Sequence, residues 1–396
     1  MKKFLFLLAV LPLTAGAVDT DSLALAMARS NPDVAAAHTQ IAATDYSGRA
    51  ANVLAGPEAE FEWKRGGGES RWGVSVGQSF DWPGVYSARR HATEARTDAA
   101  RQLYAAAVQE KWLEAKTAIM QYAAAGVQVA YLRRAVDNFK HLGEVYGRAL
   151  ERGETTILEV RKTELQLAAG ESALARAEVE RSAAYQTLAA ISPDAATRAL
   201  AAGIDMPLVK APEAYATYAD AYAVANPDIS AARSLKAAAA YEATAARRAA
   251  LPSFKLSYVH DFEENTHFNG FGVSVGLPSW GPSASRRAAE AEAVVAAESL
   301  TSKMLAADAA LRADYERVTT LYAQLEPLQR VFGTANDYPA LLGRALEAGR
   351  ITLFEYLTEY NIYLDGAADY ASLLADYATA LARLQRYVVF SDMTND

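Results

Sequence analysis

The chain has 396 residues, with 39 Lys and Arg against 47 Asp and Glu, a formal charge of −8, and no cysteine. The acidic balance argues against a nucleic-acid partner, and the lack of cysteine excludes disulfides and an N-terminal lipid-anchor site. Mean hydropathy is −0.05 and no segment beyond the N-terminus holds eighteen successive apolar residues, so any membrane crossing must use strands.

Met1-Lys2-Lys3, the apolar run from Phe4 to Leu11 and the small residues Ala15-Gly16-Ala17 read as a secretory signal peptide over residues 1–17. The run is too short to span a bilayer. Losing Lys2 and Lys3 would take the formal charge from −8 to −10.

The rest of the chain is a duplication. Asn31-Pro32-Asp33 returns as Asn226-Pro227-Asp228, Gly73-Val74-Ser75-Val76-Gly77 as Gly272-Val273-Ser274-Val275-Gly276, and Gly147-Arg148-Ala149-Leu150-Glu151 as Gly343-Arg344-Ala345-Leu346-Glu347. The spacing hardly drifts, and a repeat this long means two copies of one structural unit. The expected organisation is a first repeat over 18–191, a linker over 192–212, a second repeat over 213–390 and a tail over 391–396.

Within a copy, residues 20–54 are alanine-rich with helical periodicity, punctuated at Asn31-Pro32. Residues 57–65 and 71–82 switch to period two around Gly66-Gly67-Gly68. In the second of these, Trp72, Val74, Val76, Gln78, Phe80 and Trp82 alternate with Arg71, Gly73, Ser75, Gly77, Ser79 and Asp81. One face is apolar with aromatics at both ends and the other is small or polar, the pattern of a transmembrane strand between lipid and water. The second copy repeats it over 253–262 and 268–278. Phe254, Leu256, Tyr258, His260 and Phe262 line one face of the third strand, and Phe271, Val273, Val275 and Leu277 line one face of the fourth.

Pro83-Gly84 and Pro282 mark the entry to long helices. Residues 85–147 and 154–191 contain no proline, so each stretch can run unbroken, for roughly 95 and 57 Å at helical rise. Tyr356, Tyr363, Tyr370, Tyr377 and Leu384 recur every seven residues, matched by Val160, Leu167, Leu174, Arg181 and Leu188 in the first copy. Such a stripe predicts a helix–helix seam of coiled-coil type.

Four transmembrane strands cannot close a barrel, since the smallest closed ones use eight. The chain must therefore oligomerise; three copies, the homotrimer that the family resemblance below implies, would give twelve strands, with the long helices forming a second, helical barrel that continues the same hollow. In class, the chain is mainly α with transmembrane β, built from a duplicated helix–strand–strand–long helix–helix unit.

This organisation resembles the TolC-like outer membrane factor family of Gram-negative efflux and type I secretion systems. The resemblance extends over essentially the whole mature chain. Its most specific part is the duplicated turn, Arg148-Ala149-Leu150-Glu151-Arg152-Gly153-Glu154-Thr155-Thr156 and Arg344-Ala345-Leu346-Glu347-Ala348-Gly349-Arg350-Ile351-Thr352. In the family such turns are periplasmic tips that meet an adaptor protein, so the resemblance implies adaptor contacts at Arg148, Gly153, Thr156, Arg344, Gly349 and Thr352. The family's basic residue often lies four before the glycine, whereas Arg148 and Arg344 lie five before theirs. The resemblance also implies a pore constriction at Glu355, Thr358 and Glu359. Pro327 and Pro339, present only in the second copy, are candidate hinges because proline breaks a helical hydrogen bond.

The implied function is a passive exit duct in the outer membrane, with helices in the periplasm, reaching an inner-membrane pump through the adaptor. No catalytic residue, cofactor or metal site is expected. His38, His91, His141, His260 and His267 are scattered, and none has the helical spacing of a metalloprotease motif. His260 and His267 flank an external turn with Glu263 and Glu264, where a solvated loop is the expectation and weak metal binding the alternative. The rival reading is a non-transporting coiled-coil scaffold or surface adhesin of the cell envelope, which explains the helices but not the paired strands.

Overall fold

The computed structural model describes residues 20–66, 69–192, 209–263, 266–276, 282–332 and 338–393. The expected signal peptide, most of the linker, Glu264, Leu277 and the end of the tail lie outside the described residues. In chain order the elements are α1 (Thr20–Ser30), α2 (Pro32–Ala50), β1 (Glu58–Gly66), β2 (Glu69–Phe80), α3 (Pro83–Glu151), α4 (Ile157–Ile191), α5 (Tyr215–Ala225), α6 (Pro227–Ala249), β3 (Ser253–Glu263), β4 (Thr266–Gly276), α7 (Pro282–Phe332), α8 (Tyr338–Glu347) and α9 (Leu353–Met393). Among the described residues no helix is long and apolar enough to cross a membrane.

The repeated Asn-Pro-Asp triplet ends one helix and starts the next. Asn226 sits in extended conformation and its side chain accepts from the Asp228 and Ile229 amides at 3.0 and 3.2 Å, while Pro227 opens α6. An amide side chain at the N-cap answers orphan donors, and proline at the first helical position loses nothing, since its missing N–H would be unpaired there. Pro83 and Pro282 likewise open α3 and α7.

Two compact units result, and each draws on both copies of the repeat. One gathers the described residues of Met1–Asn31, Val108–Tyr222 and Arg312–Asp396; the other gathers Pro32–Ala107 and Ala223–Leu311.

The second unit holds the sheet. Its four strands are antiparallel in the order β1-β2-β3-β4. The observed strands differ from the expected ones only at their ends. Trp82 lies beyond β2, next to the junction where Pro83 starts α3. That junction is pinned from several sides. The Asp81 amide donates to the Tyr86 hydroxyl at 2.9 Å, Arg89 pairs with Asp81 at 2.9 Å, Asn52 donates to the Tyr86 carbonyl at 3.0 Å, and Arg248 donates to the Gly84 carbonyl at 2.8 Å. Helices α2, α3 and α6 meet through His38 on Tyr104 and through Arg96 with Glu242 at 2.7 Å. Burial raises the Glu242 carboxyl above its usual range, against the opposing pull of Arg96.

The first unit is helical, and its described residues include two clusters of buried apolar side chains. In one, Trp112, Ile119 and Met120 of α3 pack with Leu23, Met27, Leu188 and Ile191. Truncating a side chain the size of Trp112 in such a cluster costs about 3–5 kcal/mol. In the other, Phe139 and Leu142 of α3 meet Leu342 of α8 and Leu353, Tyr356, Leu357 and Tyr360 of α9. The seven-residue stripe is buried throughout: Tyr356, Tyr363, Tyr370, Tyr377 and Leu384 all belong to the core. Its charged counterpart in the first copy, Arg181, lies with its guanidinium 5.2 Å from the Tyr122 ring centre and donates to the Tyr122 hydroxyl at 3.1 Å. The seam thus exchanges an apolar contact for a cation–π contact there.

Candidate functional site

The two expected tips share one backbone solution. At the end of α3 the Gly153 amide donates to the Leu150 carbonyl and the Glu154 amide to the Ala149 carbonyl, both at 2.9 Å, with Gly153 at φ +74°. At the end of α8 the Gly349 amide donates to Leu346 and the Arg350 amide to Ala345, both at 2.9 Å, with Gly349 at φ +64°. This is the Schellman helix stop, in which a left-handed residue after the last turn lets two amides answer orphan carbonyls. Only glycine takes that conformation without steric cost.

Three residues on, a threonine starts the returning helix in each copy. Thr156 caps α4, accepting from the Glu159 amide at 3.4 Å. Thr352 caps α9, accepting from the Glu355 amide at 3.2 Å. Arg148 and Arg344 are both exposed, one turn before the glycines. At the first tip Arg152 also pairs with Glu154 at 2.8 Å, which lowers the Glu154 carboxyl below its usual range.

Beside both glycine turns the structure exposes apolar side chains that the sequence did not single out. Leu158 is 66% exposed and its repeat partner Phe354 64%. Ile157 is 55% exposed whereas its partner Leu353 is 3% exposed, closed under the cluster around Phe139 and Tyr360. The available signal was two adjacent apolar residues directly after a helix cap, where one face alone can reach a core.

Glu355, Thr358 and Glu359 share the exposed side of α9, opposite the buried Leu353, Tyr356, Leu357 and Tyr360. Their spacing of three and four residues places them in one stripe. Glu355 is engaged with Thr352, and its carboxyl is lowered first by the Thr352 amide and then by the Thr352 hydroxyl. Glu359 accepts from the Tyr338 hydroxyl at 2.9 Å.

The structure separates the two candidate hinges. Pro327 lies inside α7, five residues before its end. Pro339 is the second residue of the separate helix α8, a position that tolerates proline without a lost hydrogen bond. A kink within a long helix is therefore available at Pro327 and not at Pro339.

Across the sheet the register aligns side chains into rows. Trp63, Trp72, Phe262 and His267 form the row nearest the strand turns, followed by Phe61, Val74, His260 and Asn269. At the other end Phe80, Phe254 and Val275 align on the same face. The opposite face carries Arg71, 3.1 Å from Asp261 and 3.4 Å from Glu263, and Lys255, 2.6 Å from Glu58. Its glycines are room for these charges. A Cβ on Gly73 would stand 2.3 Å from Asp261 Oδ1, and one on Gly77 2.6 Å from Lys255 Cε. Phe268 breaks the pattern, falling on this polar face opposite Asp261. Among the described residues no group of three or more His, Cys, Asp or Glu is arranged to hold a metal.

Residues 23–192 match the family described as outer membrane efflux protein. No curated protein is a significant match to the sequence. Solved structures similar to the chain include the CmeC outer membrane channel of Campylobacter jejuni, at 14% identity and a TM-score of 0.75 over 93% of this chain and 85% of that one. A membrane protein from Pseudomonas aeruginosa is 18% identical with a TM-score of 0.76, covering 93% of each chain. The outer membrane protein VceC of Vibrio cholerae is 16% identical with a TM-score of 0.73, over 93% of this chain and 95% of that one. The resemblance read from the sequence is borne out: residues 23–192 carry the signature of the outer membrane efflux proteins, and the described chain has the fold of the TolC-like outer membrane channels.

Proposed function

We propose that the chain is one third of a trimeric exit duct, with a twelve-stranded barrel in the outer membrane and helices in the periplasm. The observation that carries this reading is the open sheet. Among the described residues nothing pairs with the outer edges of β1 and β4. An unpaired backbone edge in hydrocarbon costs several kcal/mol per unsatisfied group, so strands cross a membrane only in closed barrels. The sheet's two faces fit the same reading. The apolar face with its aromatic rows suits lipid, and the ion-paired, glycine-lined face suits a water-filled lumen.

At the helical end, the exposed Leu158 and Phe354 beside Gly153 and Gly349 support docking of a periplasmic adaptor coupled to an inner-membrane pump. Arg148, Thr156, Arg344 and Thr352 would take part in that contact. Glu355, Thr358 and Glu359 would face the lumen, forming acidic rings that favour cations. The cap on Glu355 supports this role by holding its carboxylate ionised. Transport would need no chemistry from this chain, since the pump would supply the energy.

The test is the oligomeric mass of the mature protein extracted in mild detergent, measured by light scattering corrected for bound detergent, followed by conductance in planar bilayers. A conducting trimer supports the duct. A stable, non-conducting monomer would overturn it and favour the scaffold or adhesin.

A further inference from the structure

His260 and His267 stand on either side of the β3–β4 turn, and the register brings them together. His260 lies opposite Asn269 and His267 opposite Phe262, so the two imidazoles are diagonal neighbours on one face of the hairpin. Their ring centres are 5.3 Å apart, and His260 Nε2 lies 3.3 Å from His267 Nδ1.

The tautomer of His260 is set from its far side. His260 Nδ1 is 2.7 Å from Asn269 Oδ1, an oxygen that also accepts from the Tyr258 hydroxyl at 2.8 Å. An amide oxygen only accepts, so Nδ1 carries the proton and Nε2 presents its lone pair toward His267. That is how metal-binding histidines are prepared: the other ring nitrogen donates to a carbonyl, which fixes the ring and raises ligand basicity. Aromatic neighbours hold both rings in place, with Trp72 5.7 Å from His260 and Phe262 4.9 Å from His267.

The gap between the nitrogens also fits an ion. At 3.3 Å the two nitrogens share one proton in a long hydrogen bond when no ion is present. Two imidazole nitrogens on one tetrahedral zinc, each at about 2.0–2.1 Å, stand roughly 3.3 Å apart.

We propose that His260 and His267 bind one divalent transition-metal ion of the zinc class beside the β3–β4 turn, with water completing its coordination. Imidazole selects such metals over calcium and magnesium, which take oxygen ligands. Glu263 does not supply a third ligand, because it belongs to the opposite face and pairs there with Arg71 at 3.4 Å. The ion replaces the proton shared by the two rings and ties β3 to β4. Such a site needs the hairpin register alone; both imidazoles lie in the rows next to the strand turns, which in a duct is the membrane–water boundary, where water reaches the ion.

The experiment is a calorimetric titration of the untagged mature protein, in detergent and stripped by chelator, with zinc chloride. One zinc per chain is expected. Affinity should fall at least tenfold in His267→Ala and in His260→Gln, with the double variant no weaker than the singles, because either loss destroys the same site. His91→Ala, which removes the imidazole beside Glu94 at 3.0 Å, is expected to leave binding unchanged. In the unaltered protein, bound copper(II) should show two nitrogen ligands by electron paramagnetic resonance. Absent saturable binding, a zinc affinity untouched by His267→Ala, or a copper spectrum without two nitrogens would each overturn the assignment.

Discussion

Thr352 and Glu355 cap the same helix end from both sides. The Glu355 amide donates to Thr352 Oγ1 at 3.2 Å, and the Thr352 amide donates to Glu355 Oε2 at 2.8 Å. This is a complete capping box, with two orphan amides answered reciprocally. The first copy has the same Thr-x-x-Glu letters but only half the box, because the Glu159 carboxylate accepts from the Thr155 hydroxyl instead. The second copy has Ile351 at that place and no competing hydroxyl.

Replacing Thr352 with alanine should therefore destabilise the helical unit by about 1 kcal/mol, read as a shifted urea midpoint. The Glu355 half of the box depends on pH. Its carboxyl is lowered in the folded chain, so its contribution is present above the ordinary glutamate range and is lost as pH falls through the lowered native value. Amide protection at Thr352, normalised for intrinsic exchange, should fall in that window and become independent of pH in Glu355→Gln.

The glycines near each tip should respond in opposite directions. Gly153 and Gly349 have positive φ, and a Cβ on either would meet nothing within 4 Å, so alanine there suffers only backbone strain. A loss of about 1–2 kcal/mol is expected at each. A Cβ on Gly147 or Gly343 would also meet nothing within 4 Å. Both lie inside helices, where alanine should gain about 0.5–1 kcal/mol. Thermal melts of the four variants decide the matter; equal effects at all four would refute it.

Pro327 and Pro339 should separate in the same way. Alanine at Pro327 restores an interior helical hydrogen bond and should stabilise α7 by up to about 3 kcal/mol, leave assembly intact and change channel opening. Alanine at Pro339 should be near neutral in all three. Single-channel recordings unchanged by Pro327→Ala would discard the hinge.

The buried tyrosine seam predicts alkaline unfolding. Burial, then the neighbouring Tyr218 and Tyr322, push the Tyr377 hydroxyl up to about 12, and burial raises Tyr356, Tyr360 and Tyr370 as well. Above pH 10 the unfolded chain releases protons that the folded chain keeps, so stability falls as pH rises from about 10 to 12. Tyr377 alone should account for roughly 2–3 kcal/mol of that fall. Tyr377→Phe loses the hydrogen bond to the Lys210 carbonyl, costing about 1 kcal/mol at neutral pH, and should flatten the alkaline decline.

The amino-acid sequence by itself determined the features whose cause is local. The Trp72–Phe80 alternation, the proline-free stretches, the Asn226-Pro227 cap and the glycines at 153 and 349 each act over a few residues, so period and letter suffice to read them. The heptad of Tyr356 to Leu384 is legible for the same reason, and it is buried as expected. Tertiary structure alone decided what depends on pairing distant segments. Strand register between β2 and β3 sets Asp261 over Gly73, and no local pattern specifies register between strands from different copies. Packing of α8 and α9 on α3 buries Leu353 while its repeat partner Ile157 stays exposed. Two near-identical segments thus acquire different surfaces, because burial belongs to the neighbours a residue meets and not to the residue itself.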